Sequence, residues 1–328
     1  MIIDFHTHIF PDSLAPRAID KLSKSADIIS YTDGTFQGLQ DSMKRNGISY
    51  SVLMPVVTRP SQQEQVNRIA METNEKALET GIFSFGGIHP DNEDYAQILS
   101  HLASHGIKGI KLHPVFQNTY LDDIRYMRII DCACSLGLCI LVHGGYDISF
   151  PTLDYVTPIH VLPVIEDIHP DKLILAHMGG WHCWNDVERF LVGTNVYFDT
   201  SFSITPLRSP SLFSQPEDPN ENGSSGPVAN GSSGPDANGS GIINVLGDES
   251  SCEKIAPSHQ QMSMIQFCNM VRNHGADKIL FGTDSPWASQ KESLKLLTSS
   301  GLSHGELADI MGGNAARLLG IDQKGASQ

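Results

Sequence analysis

The amino-acid sequence predicts a closed α/β barrel, (β/α)8 or TIM barrel in architecture, as a single domain over residues 1–328. Three observations carry the expectation. Eight short apolar runs, each suited to a buried strand, alternate with helical patterns along the chain. No glycine-rich dinucleotide fingerprint follows any strand, which weighs against the doubly wound open sheet as the runner-up. The first, third, fourth, fifth, sixth and eighth runs carry histidine or aspartate at their ends, and in a parallel barrel all strand ends of this kind meet at one mouth.

The elements follow in order. "IIDFHTHIF" (Ile2–Phe10) opens the chain, with Ile2, Ile3 and Phe5 suited to a buried strand. "TFQGLQDSMKRNG" has Phe36, Leu39 and Met43 at helical spacing and stops at Gly47. "ISYSVLMPVV" is the second strand, "EQVNRIAMETNEKALETG" a helix and "IFSFGGIHP" the third strand. "YAQILSHLASHG" reads as a helix before the fourth strand, "IKGIKLHP"; "IRYMRIIDCACSLG" precedes the fifth, "LCILVHGG". "PIHVLPVIEDIHP" leads to "KLILAHMGG", and "WNDVERFLVG" to "NVYFDTS". "MSMIQFCNMVRNHG" leads to the eighth strand, "KILFGTDSP", and "SQKESLKLLTSSG" and "GELADIMGGNAARLLG" close the barrel.

One stretch breaks the rhythm. Residues 216–241 read "PEDPNENGSSGPVANGSSGPDANGSG", with "NGSSGP" at Asn222 and again at Asn230. Gly/Ser/Asn/Pro-rich sequence offers almost nothing to a core, so it reads as a flexible insertion after the seventh strand rather than a domain linker.

Composition narrows the function classes. With 22 Lys+Arg against 37 Asp+Glu, the formal net charge is -15. That argues against nucleic acid or an anionic membrane as a main partner and leaves a small-molecule substrate. No stretch is long and apolar enough to span a membrane, and no basic flank leads into an apolar run as in a signal peptide. The six cysteines are irregularly spaced and form no disulfide framework, so a reducing cytoplasm is the expected setting.

Alternation on a strand places His6 and His8 on one face, with Asp4 behind them. The same parity groups Cys139 and Leu141 with His143, Leu173 and Leu175 with His177, and Leu280 and Gly282 with Asp284. Each polar end residue is therefore expected to cap a column of interior side chains. Imidazoles and a carboxylate converging at one mouth suit zinc or a similar borderline divalent ion.

"DFHTHIFP", "LVHGG", "LAHMGG", "FGTDSPW" and "IMGGNAARLLG" together resemble the metal-dependent amidohydrolase superfamily, in the branch that includes aminocarboxymuconate semialdehyde decarboxylase. The resemblance covers nearly the whole chain apart from the insertion. It implies a (β/α)8 barrel with one or two divalent metals at the mouth. His6 and His8 match the first-strand ligand pair, His143 the fifth-strand ligand and Asp284 the eighth-strand aspartate. His177 matches the histidine that activates bound water in single-metal members, and Asp284 can share that base role. The expected cofactor is one Zn2+ per chain, with Mn2+ or another divalent ion as alternatives. A homo-oligomer, a dimer, is compatible with the resemblance.

Lys111 and His113 share a parity on the fourth strand. A two-metal site bridged by a modified Lys111 is the alternative to an interior ion pair between Lys111 and Asp4, and the ion pair is preferred. His89 and His113 are then pocket lining. Arg59, after the second strand, and Arg208, after the seventh, can reach a substrate carboxylate. Trp287 is the best placed of the tryptophans to wall the pocket, ahead of Trp181 and Trp184. The leading function is a metal-dependent hydrolase of a small, carboxylated amide or lactone. A non-oxidative decarboxylase using the same site, and a catalytically silent ligand-binding barrel, are the alternatives.

Replacing residues 216–241 with a short linker is expected to leave the thermal unfolding midpoint nearly unchanged, because loop length costs little entropy. A drop of many degrees would show that the segment packs on the barrel.

Overall fold

In the computed structural model, residues 1–209 and 261–321 are described, and the 216–241 insertion lies outside them. Eight strands run in chain order: β1 (Ile3–Thr7), β2 (Tyr50–Leu53), β3 (Ile82–Ser84, resuming as Gly86–Gly87), β4 (Gly109–Leu112), β5 (Cys139–Val142), β6 (Leu173–Leu175), β7 (Tyr197–Asp199) and β8 (Ile279–Leu280). All neighbours pair in parallel. Between the two parts of β3, Phe85 donates its N–H to Leu53 O at 3.0 Å, so the ladder continues. Phe5 N to Phe281 O and Asp284 N to His6 O, both 2.8 Å, join the last strand to the first. The ring closes, and the predicted (β/α)8 barrel is the fold that forms.

The helices among the described residues are α1 (Ala15–Ala26), α2 (Phe36–Asn46), α3 (Gln63–Glu75), α4 (Tyr95–Ser104), α5 (Ile124–Ser135), α6 (Pro158–Ile168), α7 (Trp184–Phe190), α8 (Met264–His274), α9 (Gln290–Thr298), α10 (His304–Ala308) and α11 (Asn314–Leu319), besides a one-turn helix after α3. Thr35, Ser263 and Ser289 cap α2, α8 and α9 by accepting from the backbone N–H three residues on. The sequence pattern leaves α1 unassigned, because only its end residues Ala15 and Ala26 are buried. Its one local signal is Pro16 in the first turn. The single helix expected after β2 breaks at Lys76 (φ -110°, ψ 8°) and resumes for one turn at Ala77–Thr80.

Two apolar layers form. Ile3, Phe5, Val52, Met54, Phe85, Cys139, Leu141, Ile174, Ala176 and Leu280 fill the barrel interior. Leu53, Ile110, Leu112, Ile140, Val142, Leu173, Leu175 and Phe198 face the helices. The parity expected for β5 holds. On β6 it does not: Ile174 and Ala176 point inward, while Leu173 and Leu175 point outward. His177 still reaches the mouth because its φ of +62° breaks the alternation.

β1 carries a second departure. Ile3 and Asp4 pair with Tyr50 and Ser51, but Thr7 pairs with Leu53, so β1 holds one extra residue. Such a bulge re-aims side chains. It separates Asp4 from the face of His6, and the expected Lys111–Asp4 pair does not form. Asp4 instead accepts from Thr283 N (2.9 Å), Thr283 Oγ1 (2.6 Å) and Gln290 Nε2 of α9 (2.8 Å). This fully buried carboxyl anchors the chain around the eighth strand's end to the first strand.

Asp4→Ala strands those donors in the interior and is expected to cost on the order of 3 kcal/mol. The denaturant midpoint should fall at unchanged slope. A change below ~0.5 kcal/mol would show that water replaces the carboxylate.

Candidate metal centre

His6 and His8 reach the mouth from the end of β1, and Asp284 from just beyond β8. One ligand atom from each lies within 4.8 Å of the others. His8 Nε2 is 2.9 Å from Asp284 Oδ1, and His6 Nε2 is 3.8 Å from the same oxygen. Asp284 is turned inward by a φ of +65°. Gly282, two residues earlier, allows the close approach: a Cβ there would lie 3.0 Å from His6 Cβ.

His6 is prepared as a ligand by its other nitrogen. Its Nδ1 lies 2.8 Å from Asp199 Oδ2, at the end of β7, and donates to that carboxylate. Nε2 is therefore the bare nitrogen, and Lys111 Nζ approaches it at 3.4 Å. A carboxylate that fixes the tautomer of an imidazole is the usual outer support of a metal ligand. Two imidazole nitrogens aimed at one carboxylate oxygen, the second nitrogen of His6 already engaged, fit a divalent cation.

Asp199 organises more than His6. Its Oδ1 accepts from His177 N and Ser201 N, both at 3.0 Å, and from the Ser201 hydroxyl. Burial by itself would raise the Asp199 carboxyl, but His6, His177 and Ser201 outweigh it and hold the group below the usual carboxylate range. Asp284 behaves likewise: burial opposes, and His6 and His8 prevail. Burial lowers Lys111 to about 8, while Asp284, Asp199 and Asp147 support its charge.

His177 stands between two groups. Its ring is stacked 5.5 Å from that of His6, and its Nε2 is 3.0 Å from His143 Nδ1. Burial lowers His177 to about 4, so its imidazole is neutral at physiological pH. Trp184 Nε1 donates to His177 O at 2.9 Å and fixes the backbone there. The "LVHGG" and "LAHMGG" segments lock together: Trp181 N donates to Gly144 O at 2.9 Å. Gly145 has φ +79°, and a Cβ on it would lie 2.4 Å from Trp181 N, so no other residue fits.

The expected fourth ligand, His143, lies in a second group with His113 and Asp147, all buried. His89 joins neither group; its Nδ1 accepts from Asp91 N at 3.2 Å. Arg59 is exposed beside the short turn Pro60–Gln62. Trp287 is nearly buried, and its backbone N–H donates to Asp284 O at 2.9 Å. Arg208 is paired with Glu292. Sequence reading missed Asp199, Ser201 and Asp147. For Asp199 a signal existed, an acid closing the seventh apolar run, but Asp147 sits in a loop with no periodicity to mark it.

A family model described as amidohydrolase matches residues 3–321. No curated protein matches the chain. Among solved structures, 5-carboxyvanillate decarboxylase from Sphingomonas paucimobilis is similar with TM-score 0.58 at 13% identity, covering 98% of this chain and 99% of that one. A dihydroxybenzoic acid decarboxylase from a Polaromonas species, with bound manganese, gives 0.60 at 14%, covering 98% and 97%. A probable 2-pyrone-4,6-dicarboxylic acid hydrolase from Acinetobacter baumannii gives 0.55 at 14%, covering 97% and 99%. At these identities the likeness is one of fold, while the family match spans nearly the full length: the chain belongs to the amidohydrolase family.

Proposed function

We propose that this chain is a metal-dependent hydrolase that directs activated water at a small, carboxylated amide or lactone, with one divalent ion held by His6, His8 and Asp284. The observation that carries the reading is the convergence of His6 Nε2 and His8 Nε2 on Asp284 Oδ1, with His177 one ring away. A bound divalent ion, zinc or manganese, supplies Lewis acidity and lowers the pKa of water towards about 7. His6 is kept in its ligating tautomer by Asp199. His177, its Nδ1 held by Ser201, presents Nε2 as the nitrogen that takes a proton from water and returns it to the leaving atom. Asp284 can share that proton. The Lys111 ammonium offsets the charge of Asp284 and Asp199, and Trp287, three residues past Asp284, is the residue assigned to the pocket wall. Arg59, at the rim, is the group that meets a substrate carboxylate.

A non-oxidative decarboxylase is the second reading, favoured by the decarboxylases among the structures of the same fold. The ligands would be the same, so reaction class rests on the product formed. A screen of lactones, amides and small unsaturated acids decides between them. Ring or amide opening without gas supports the hydrolase; carbon dioxide released from an acid without hydrolysis supports the lyase.

His177→Ala is expected to retain its metal while turnover falls roughly 10²–10⁴-fold, the range for a lost acid–base group. Metal content measured beside turnover checks this, and a metal-free variant would make His177 a ligand. Asp199→Asn is expected to weaken metal affinity about 10–100-fold in folded protein, as for a lost outer-shell carboxylate. Unchanged affinity would show that His6 needs no such support.

A further inference from the structure

Two histidines stand apart from the mouth. His101 and His105 lie four residues apart at the carboxyl end of α4, and both are exposed. At i and i+4, two side chains share one face of a helix. Here the rings touch, with centroids 4.1 Å apart and 50° between the planes. Chain direction keeps the pair away from the mouth. α4 ends where the chain turns back to begin β4 at Gly109, and the mouth lies at the other end of that strand.

The contacts around His105 fix which of its nitrogens is bare. Nδ1 lies 2.8 Å from His101 O, and a carbonyl only accepts, so Nδ1 carries the proton. Ser104 Oγ donates to the same carbonyl at 2.8 Å, which leaves an oxygen lone pair facing His105 Nδ1 at 3.2 Å. Both neighbours select one tautomer, and neutral His105 has a bare Nε2. An imidazole that gives one N–H to a backbone carbonyl and keeps its other nitrogen bare is oriented as metal-ligating histidines are. His101, one turn earlier, supplies a second imidazole. Its exposed ring is free to turn a nitrogen to the same ion, at bonds of ~2.0–2.1 Å.

We propose that His101 and His105 form a two-imidazole surface site for a borderline divalent cation, separate from His6, His8 and Asp284. Imidazole suits copper, nickel and zinc, and Cu2+ stands at the top of the affinity order. Water completes the coordination. The last turn of α4 is otherwise held by backbone bonds from His105 N to His101 O and to Leu102 O, both 3.2 Å, and from Ile107 N to Leu102 O at 3.1 Å. An ion bridging residues 101 and 105 links the two ends of that turn a second time. Because it binds only the helical arrangement, it stabilises this helix end against local opening. The site stands on its own contacts and does not depend on which reaction the mouth serves.

The test titrates Cu2+ into the full chain without an affinity tag, and into His101→Asn, His105→Asn, the double variant and His8→Ala. Circular dichroism confirms the fold of each. Both Asn variants should lose one equivalent of bound Cu2+ relative to wild type, and the double variant should lose no more than either alone. His8→Ala should keep that equivalent, which separates this site from the mouth. In wild type, Zn2+ should slow hydrogen exchange at the amides of His105 and Ile107, and in neither Asn variant. Unchanged Cu2+ binding in either single variant overturns the proposal. So do partial losses that add in the double variant, since they mark two independent imidazoles. Loss of this equivalent in His8→Ala, or protection by Zn2+ that survives both substitutions, also overturns it.

Discussion

A single carboxylate with no exposure to solvent, that of Asp199, holds the mouth of the barrel together. It closes β7, accepts from the backbone at the end of β6, and receives the imidazole that ends β1. Three strand ends are thereby fixed to one anion. A buried carboxylate without such donors would be expelled or neutralised. Here His6, Ser201 and two backbone N–H groups make its charge tolerable, and that charge determines which nitrogen of His6 is bare.

The backbone around the mouth adopts conformations that non-glycine residues rarely take. His177, Met178 and Asp284 have φ of +62°, +52° and +65°. Such residues cost on the order of 1–3 kcal/mol each and persist where surrounding contacts over-determine them. Those contacts are present: Met178 N to Asp199 O, Trp184 Nε1 to His177 O and Asp284 N to His6 O. The strain aims His177 and Asp284 inward, where a regular strand would have turned at least the first of them outward. Glycines at 145 and 282 supply the remaining room.

Electrostatically, the mouth mixes neutral histidines, two firmly ionised aspartates and one buried lysine. Burial favours the neutral imidazoles, the form that ligates metal and accepts protons. The Lys111 ammonium, among Asp284, Asp199 and Asp147, keeps the concentrated negative charge from being unbalanced.

Much of this was legible in the sequence. Eight apolar runs between helical patterns determined the barrel, because strand and helix periods are local properties and parallel strands with helical crossovers close in few ways. The strand-end histidines and Asp284 were legible for the same reason, since chain direction alone sends their ends to one mouth. Tertiary structure decided the rest. The bulge in β1 depends on pairing with β2, so no local pattern showed that Asp4 would leave Lys111 for Thr283 and Gln290. The left-handed turn at His177 depends on contacts from β7 and α7, so simple parity assigned the wrong residues of β6 to the interior. Asp199 and Asp147 gained their roles only when distant segments met them: a carboxylate's function is set by the donors around it, and those donors are 193 residues away in sequence for the Asp199–His6 pair.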